Sequence, residues 1–318
     1  RGADAICFFQ WRASERGAEK FHSAMLPHTG TDTATWREVL DLGGTLDRLG
    51  EVAGSTVEAD VALVFGWESW WATDTEARPS QGVRYLDQVH AAYRALRALG
   101  VTADIVAPGA DLSAYRAVVV PCLHMVSEAQ AAAVAGFVEA GGRAVVTFYS
   151  GIVDETDRVR LGGYPGAFRD LLGVVAEEFA PLPPGQEVVL DSGARATLWT
   201  ERLRTTTAET VDRHADGTPA VTRNAYGAGQ AWYLATALAP DDLRDVLGLV
   251  VGGTAADADV EVVRRSGDGR RYTFVINHGD KDIEHRCAGR ELITGAESDG
   301  VLRVPAGAVR VVREEIAR

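Results

Sequence analysis

Between residues 61 and 148 the chain carries three short apolar runs, Val61–Phe65, Ala117–Pro121 and Ala144–Phe148, and a further segment, Val101–Val106, that also reads as a strand. A run that is apolar on both faces fits a strand covered above and below, as in a buried parallel sheet. Helical segments separate these runs. Gln81–Leu99 repeats Tyr85, Leu86, Val89, Tyr93 and Leu96 with helical period, and Gly100 ends it. Ser127-Glu128-Ala129-Gln130 reads as a capping box opening a helix that stops at Gly141-Gly142. Strands alternating with helices require right-handed crossovers, so this region predicts an α/β, doubly wound domain. Val188–Leu203 and Ala220–Leu234 read as β additions to it, the second broken at Gly227-Ala228-Gly229.

The flanks follow other patterns. Near the start, Ala5–Phe9 reads as a short buried strand that breaks into a polar, aromatic-rich loop from Gln10 to His28. A helix is expected over Thr31–Gly50, capped by Asp32 or Thr33, with Trp36, Val39, Leu40, Leu46 and Leu49 near helical spacing. A lone strand needs sheet partners and the sequence starts at Arg1 without Met, so the expectation is a piece of a longer α/β array. From about Asp257 onward, Val260–Arg265 and Arg271–Ile276 flank Gly267-Asp268-Gly269, a hairpin signal. With short strands expected at Glu291–Ile293, Gly300–Val304 and Ala308–Val312, the end of the chain reads as a small antiparallel β domain.

Composition excludes several roles. A formal net charge of −13 disfavours nucleic acid and anionic membrane surfaces as partners, since both are bound through Lys and Arg. No apolar run reaches the length of roughly 20 residues that a membrane-spanning helix needs. Cys7, Cys122 and Cys287 are scattered and odd in number, which gives neither a disulfide framework nor a zinc site and favours a reducing, cytoplasmic setting.

The candidate functional groups each have a plainer reading. Glu19 and His22 fall on one face of a helical turn; the pair suits sugar hydroxyls, a proton relay or metal ligation, and by default a solvated pair. Aromatic company (Phe8, Phe9, Trp11, Phe21) favours the sugar. Cys122, between a strand and His124, occupies a nucleophile-elbow position, but Pro121 and Leu123 are bulky neighbours and a buried structural thiol is the default. Trp67, Trp70 and Trp71 suit core packing, a subunit interface or a sugar platform. Asp154, Glu155 and Asp157 form an acidic loop whose default is solvated charge. Gly141-Gly142 and Gly162-Gly163 match no nucleotide fingerprint and read as a helix stop and a tight turn.

Cys7-Phe8-Phe9-Gln10-Trp11-Arg12 with Gly17–Met25 resembles the last barrel strand of glycoside hydrolase family 42 β-galactosidases. The resemblance continues through Val64–Trp71, Ser150–Glu155 and Gly162–Gly166 and covers essentially the whole chain. It implies three parts: residues 1–55 as the end of a (β/α)8 catalytic barrel, 56–255 as a flavodoxin-like, class I glutamine amidotransferase-like trimerisation domain, and 256–318 as a small C-terminal antiparallel β domain. It further implies a homotrimer acting with retention on terminal β-D-galactosides, with two catalytic glutamates upstream of this chain. No catalytic residue is therefore assigned here, and no metal or cofactor. Glu19 and His22 match residues that bind galactose hydroxyls, Phe9 matches an aromatic wall of the sugar pocket, and Trp11 supports that wall. The alternative is a stand-alone oligomerisation or small-molecule-binding module with an amidotransferase-like fold.

Overall fold

The computed structural model describes residues 2–3, 5–253 and 259–316. They form two units, Arg1–Glu58 with Asp257–Arg318, and Ala59–Ala256. Asp4 of the opening stretch, the expected boundary at residues 255 and 256, and Asp257 lie outside the described residues.

The larger unit is built on a seven-stranded sheet of β1 (Val61–Val64), β2 (Ala103–Val106), β3 (Ala117–Val120), β4 (Arg143–Thr147), β5 (Glu209–Arg213), β6 (Pro219–Tyr226) and β7 (Gly229–Leu234). Its order is β5-β6-β7-β4-β3-β1-β2. The run β7-β4-β3-β1-β2 is parallel throughout, and β6 and β5 extend it antiparallel. Every residue of β1 and β3 is buried. That is possible only with cover on both faces, and helices supply it. Val61, Leu63, Val119 and Val145 pack under the helices Tyr85–Ala98 and Pro240–Val251. Ala62, Val64, Val118, Val120, Ala144 and Val146 pack under Glu128–Glu139 and Arg169–Leu172 on the other side.

Local chemistry places these helices. Ser127 and Gln130 form the expected capping box: the Gln130 N–H donates to Ser127 Oγ and the Ser127 N–H to Gln130 Oε1. In Tyr85–Ala98 the buried positions Tyr85, Val89, Ala92 and Leu96 form one stripe. A strand absent from the expectations, Val174–Pro181, pairs antiparallel with Trp199–Thr205 as a two-stranded ribbon. Its entry is fixed at Gly173 (φ +62°), whose carbonyl accepts from the amides of Thr206, Thr207 and Ala208.

The smaller unit centres on a six-stranded sheet in the order Thr56–Val57, β8 (Val260–Gly267), β9 (Arg270–Asn277), β10 (Val309–Glu315), Ala288–Glu291 and Glu297–Asp299. Gly267 pairs with Arg270, which leaves Asp268 (φ +51°) and Gly269 (φ +75°) as a two-residue turn of the type I′ kind, closing the hairpin that the sequence predicts. Glu51 accepts from Arg270 and Arg313, and Tyr272 donates to the Glu51 carbonyl at 3.0 Å. The expected N-terminal helix spans Ala34–Arg48, with Thr33 as its cap accepting from the Trp36 N–H at 3.2 Å.

Two strand expectations fail: at Glu291–Ile293 the strand Ala288–Glu291 ends where the expected one begins and a turn follows, and a second failure lies at the start of the chain. Ala5–Phe9 forms no strand, and all five residues are exposed. A run that is apolar on both faces becomes a strand only with ladder partners and cover, and no described segment pairs with this one.

At Gly173 an added Cβ would lie 2.7 Å from Asn224 Oδ1 and 2.8 Å from the Ala208 nitrogen, and would also press on Thr207 Oγ1. Gly173→Ala is expected to destabilise the larger unit by about 2–4 kcal/mol, from overpacking and the left-handed backbone together. Urea unfolding checks this, and a midpoint within error of wild type would contradict it.

Candidate functional site

The N-terminal loop is closed by its own backbone. Met25 N–H donates to the Gln10 carbonyl (3.0 Å), Leu26 N–H to that of Trp11 (2.8 Å), and Ala13 N–H to that of Leu26 (3.1 Å). Between these clamps, Gly17 (φ +84°) opens a 3-10 turn, Ala18–Phe21, and the His22 N–H bonds the Glu19 carbonyl at 2.9 Å. The closure returns His22 to the start of the loop, where its ring lies edge-on to Phe9 with centroids 6.3 Å apart. His28 Nε2 anchors the loop's far side at 2.8 Å from the Ser14 carbonyl oxygen.

Of the four predicted site residues, the structure brings Phe9 and His22 together and sets Glu19 one turn before His22. Trp11 packs instead edge-on against Trp36 of the N-terminal helix, at 5.5 Å. All four are exposed, Phe9 by 71%. An aromatic edge, a carboxylate and an imidazole on an open loop suit the hydroxyls and apolar face of a sugar. Among the described residues no group of three or more His, Cys, Asp or Glu converges as a metal would require.

The other candidates resolve locally. Trp67, Trp70 and Trp71 lie on a short helix, Trp67–Thr73, just after β1. Phe65 and Trp70 pack against the core, while Trp67 and Trp71 are 54% and 64% exposed, their rings 6.1 Å apart. The acidic loop is a turn in which Asp154 Oδ1 accepts from the Thr156 N–H, its hydroxyl and the Arg158 N–H. Gly141, Gly162 and Gly163 all take positive φ, as a helix stop and a tight turn require.

Cys122 follows β3 with φ +45°, the elbow conformation, but its chemistry is not that of a nucleophile. The side chain is 1% exposed, and burial pushes the thiol up to about 12. Burial lowers His124 to about 4, so no thiolate–imidazolium pair exists near neutral pH. Ser150 Oγ accepts from the Leu123 N–H at 3.0 Å, and Gly151 N–H donates to the Leu123 carbonyl at 2.7 Å, sealing the turn.

The sequence reading missed Glu201. It is buried, with Trp199 Nε1–H donating to one oxygen at 3.0 Å and the Tyr233 hydroxyl to the other at 2.7 Å. The sequence does hold a signal: in the alternating strand Trp199–Thr205, Glu201 falls in phase with buried Trp199 and Leu203.

Comparison with known proteins matches the chain to one family. The β-galactosidase trimerisation domain matches residues 59–276, the β-galactosidase family proper matches 1–49, and the β-galactosidase C-terminal domain matches 259–314. A β-galactosidase from an Arthrobacter species is 44% identical over 99% of this chain and 47% of its own length. One from Geobacillus kaustophilus is 41% identical over 89% of this chain and 44% of its own. The crystal structure of the β-galactosidase from Bacillus circulans sp. alkalophilus superposes with a TM-score of 0.93 at 34% identity, over 98% of this chain and 50% of that one. The chain thus spans about half the length of the relatives it matches. With matches running from the N-terminal loop through the parallel sheet to the terminal β sheet, the chain belongs to the glycoside hydrolase family 42 β-galactosidases.

Proposed function

We propose that this chain is the C-terminal portion of a retaining β-galactosidase that releases terminal, non-reducing β-D-galactose. In this reading residues 1–55 complete a catalytic barrel, 56–255 assemble the subunits and 256–318 form the terminal β domain. The two catalytic glutamates lie outside the chain, and Phe9, Glu19 and His22 hold the galactose, with Trp11 backing the aromatic wall. The observation that carries it is the backbone closure of the Gln10–Leu26 loop, which returns His22 to Phe9 with Glu19 on the intervening turn. Hydrogen bonds to sugar hydroxyls that strengthen in the transition state supply several kcal/mol in such enzymes. The chain alone would bind and assemble but not hydrolyse.

Assembly is the second role. The parallel order β2-β1-β3-β4-β7 supports a flavodoxin-like reading of this domain, and the elbow backbone at Cys122 fits an amidotransferase-like ancestry without its chemistry. The name of the matched domain and the exposed Trp67 and Trp71 support a homotrimer, since indoles of this kind anchor protein interfaces. No helix is long and apolar enough to cross a membrane among the described residues, and all three cysteines are free, in keeping with a cytoplasmic enzyme.

Two measurements test these readings. In the longer protein carrying the barrel, Glu19→Ala is expected to lower kcat/KM for a chromogenic β-galactoside by at least about 100-fold; wild-type kcat/KM would sink the assignment. For an amidotransferase-like nucleophile the discriminator is thiol labelling at pH 7. Cys7, which is exposed, should react fast and Cys122 only on unfolding; rapid labelling of Cys122 would revive that alternative.

A further inference from the structure

The antiparallel pair of Val174–Pro181 and Trp199–Thr205 packs against the residues that follow β4 and against Tyr233 near the end of β7. In an open parallel sheet the carboxyl edge is where ligands bind. Here the chain fills it with its own side chains. Trp199, wholly buried, stacks on Phe148 (5.6 Å) and tilts against Tyr149 (5.2 Å), the residues that follow β4. Thr236 Oγ1 donates to the Trp199 carbonyl at 2.6 Å. Glu201 reaches the Tyr233 hydroxyl near the end of β7 and also faces the Tyr149 N–H.

Every donor to Glu201 is neutral. The titratable groups around it are the Cys122 thiol after β3 and the Tyr149 and Tyr233 hydroxyls, all pushed up by burial and uncharged near neutral pH. His124, stacked on Tyr149 at 4.6 Å, is held neutral by burial. The charged neighbours of this cluster, Arg78 and Asp157, act on Tyr149, and Asp157 also on His124. The carboxyl, 2% exposed, therefore has three hydrogen-bond donors and no cation among its described partners. Such a site favours the protonated form.

We propose that this ribbon is a pH-sensitive strap, closed over the sheet edge while Glu201 is protonated and loosened when its carboxyl ionises. The idea is independent of the galactosidase reading. Burial raises the Glu201 carboxyl from its ordinary 4.5 to about 7 in the closed state, against the pull of its donors. The closed state thus binds more protons than the open one. Its advantage is full below about pH 4.5, declines as pH rises, and is gone above about pH 7.

Hydrogen exchange of the Trp199–Thr205 amides, corrected for intrinsic rate, tests this between pH 5 and 9 on the intact chain. Protection is expected to fall roughly ten-fold per pH unit from 5 to 7 and then level off, with the Ala144–Val146 amides of β4 more protected than the strap at every pH, as a local opening requires. Glu201→Gln should hold the strap's protection constant within about two-fold. Tyr233→Phe, which removes a donor to the charged form, should extend the fall to higher pH. A flat wild-type profile, strap amides as protected as those of β4, or a Glu201→Gln variant that keeps the slope would overturn the proposal. Should Glu201→Gln fail to fold, an unshifted Tyr233→Phe profile overturns it instead.

Discussion

The larger unit depends on burying β1 and β3 on both faces, together with all of β4 after Arg143. Strands with no exposed residue cannot stand at a surface, so helices must lie above and below, and each crossover must return the chain to the same edge of the sheet. Val61, Leu63 and Val119 face one helical layer and Ala62, Val64 and Val118 the other. The turns after these strands then collect at the carboxyl edge. There Cys122 and Tyr149, both non-glycine residues at positive φ, turn the chain back under a lid of Phe148, Trp199 and Phe179. The edge that would admit a ligand in a related architecture is occupied by the ribbon that contributes Trp199 and Glu201.

The N-terminal residues follow the opposite logic. Helix Ala34–Arg48 has its apolar residues at helical spacing yet buries none of them, and Ile6, Phe8, Phe9, Leu40 and Leu46 are all exposed. An amphipathic helix ordinarily owes its stability to what covers its apolar stripe, and apolar exposure of this extent marks an interaction surface. It fits the proposal that these residues complete a barrel, since a barrel strand and its helix are stable only within the closed array. Glu19 and His22 lie in a loop that closes through its own backbone between Gln10 and Leu26, and Phe9 precedes that closure.

Much of this was legible in the sequence because the signals were local. β1, β3 and β4 are apolar on both faces, Ser127 and Gln130 carry a two-residue cap, and Asp268-Gly269 has the chemistry that a tight hairpin demands. What escaped depends on distant partners. Val174–Pro181 mixes Glu177 and Glu178 with apolar residues and becomes a strand only by pairing with Trp199–Thr205. β5 is a polar edge strand, bulged at Asp212, whose pattern resembles a loop. The helix Pro240–Val251, with Pro240 at its start and Asp241 and Asp242 in its first turn, carried a plain signal that the strand-centred reading passed over. Ala5–Phe9 failed in the other direction, a strand signal without partners. Of the site, the residue types at Phe9, Glu19 and His22 were legible, but their juxtaposition required the loop closure, and Trp11 turned toward Trp36.

In the proposed function this chain supplies assembly and sugar contacts while the bond-breaking carboxylates lie outside it. Sedimentation equilibrium at micromolar concentration, with a chromogenic β-galactoside assay on the same sample, tests it most directly. The account predicts a species of about three times the 34.0 kDa chain mass and no turnover. A 34.0 kDa monomer would contradict the assembly role, and hydrolysis by the chain itself would contradict the placement of the catalytic groups.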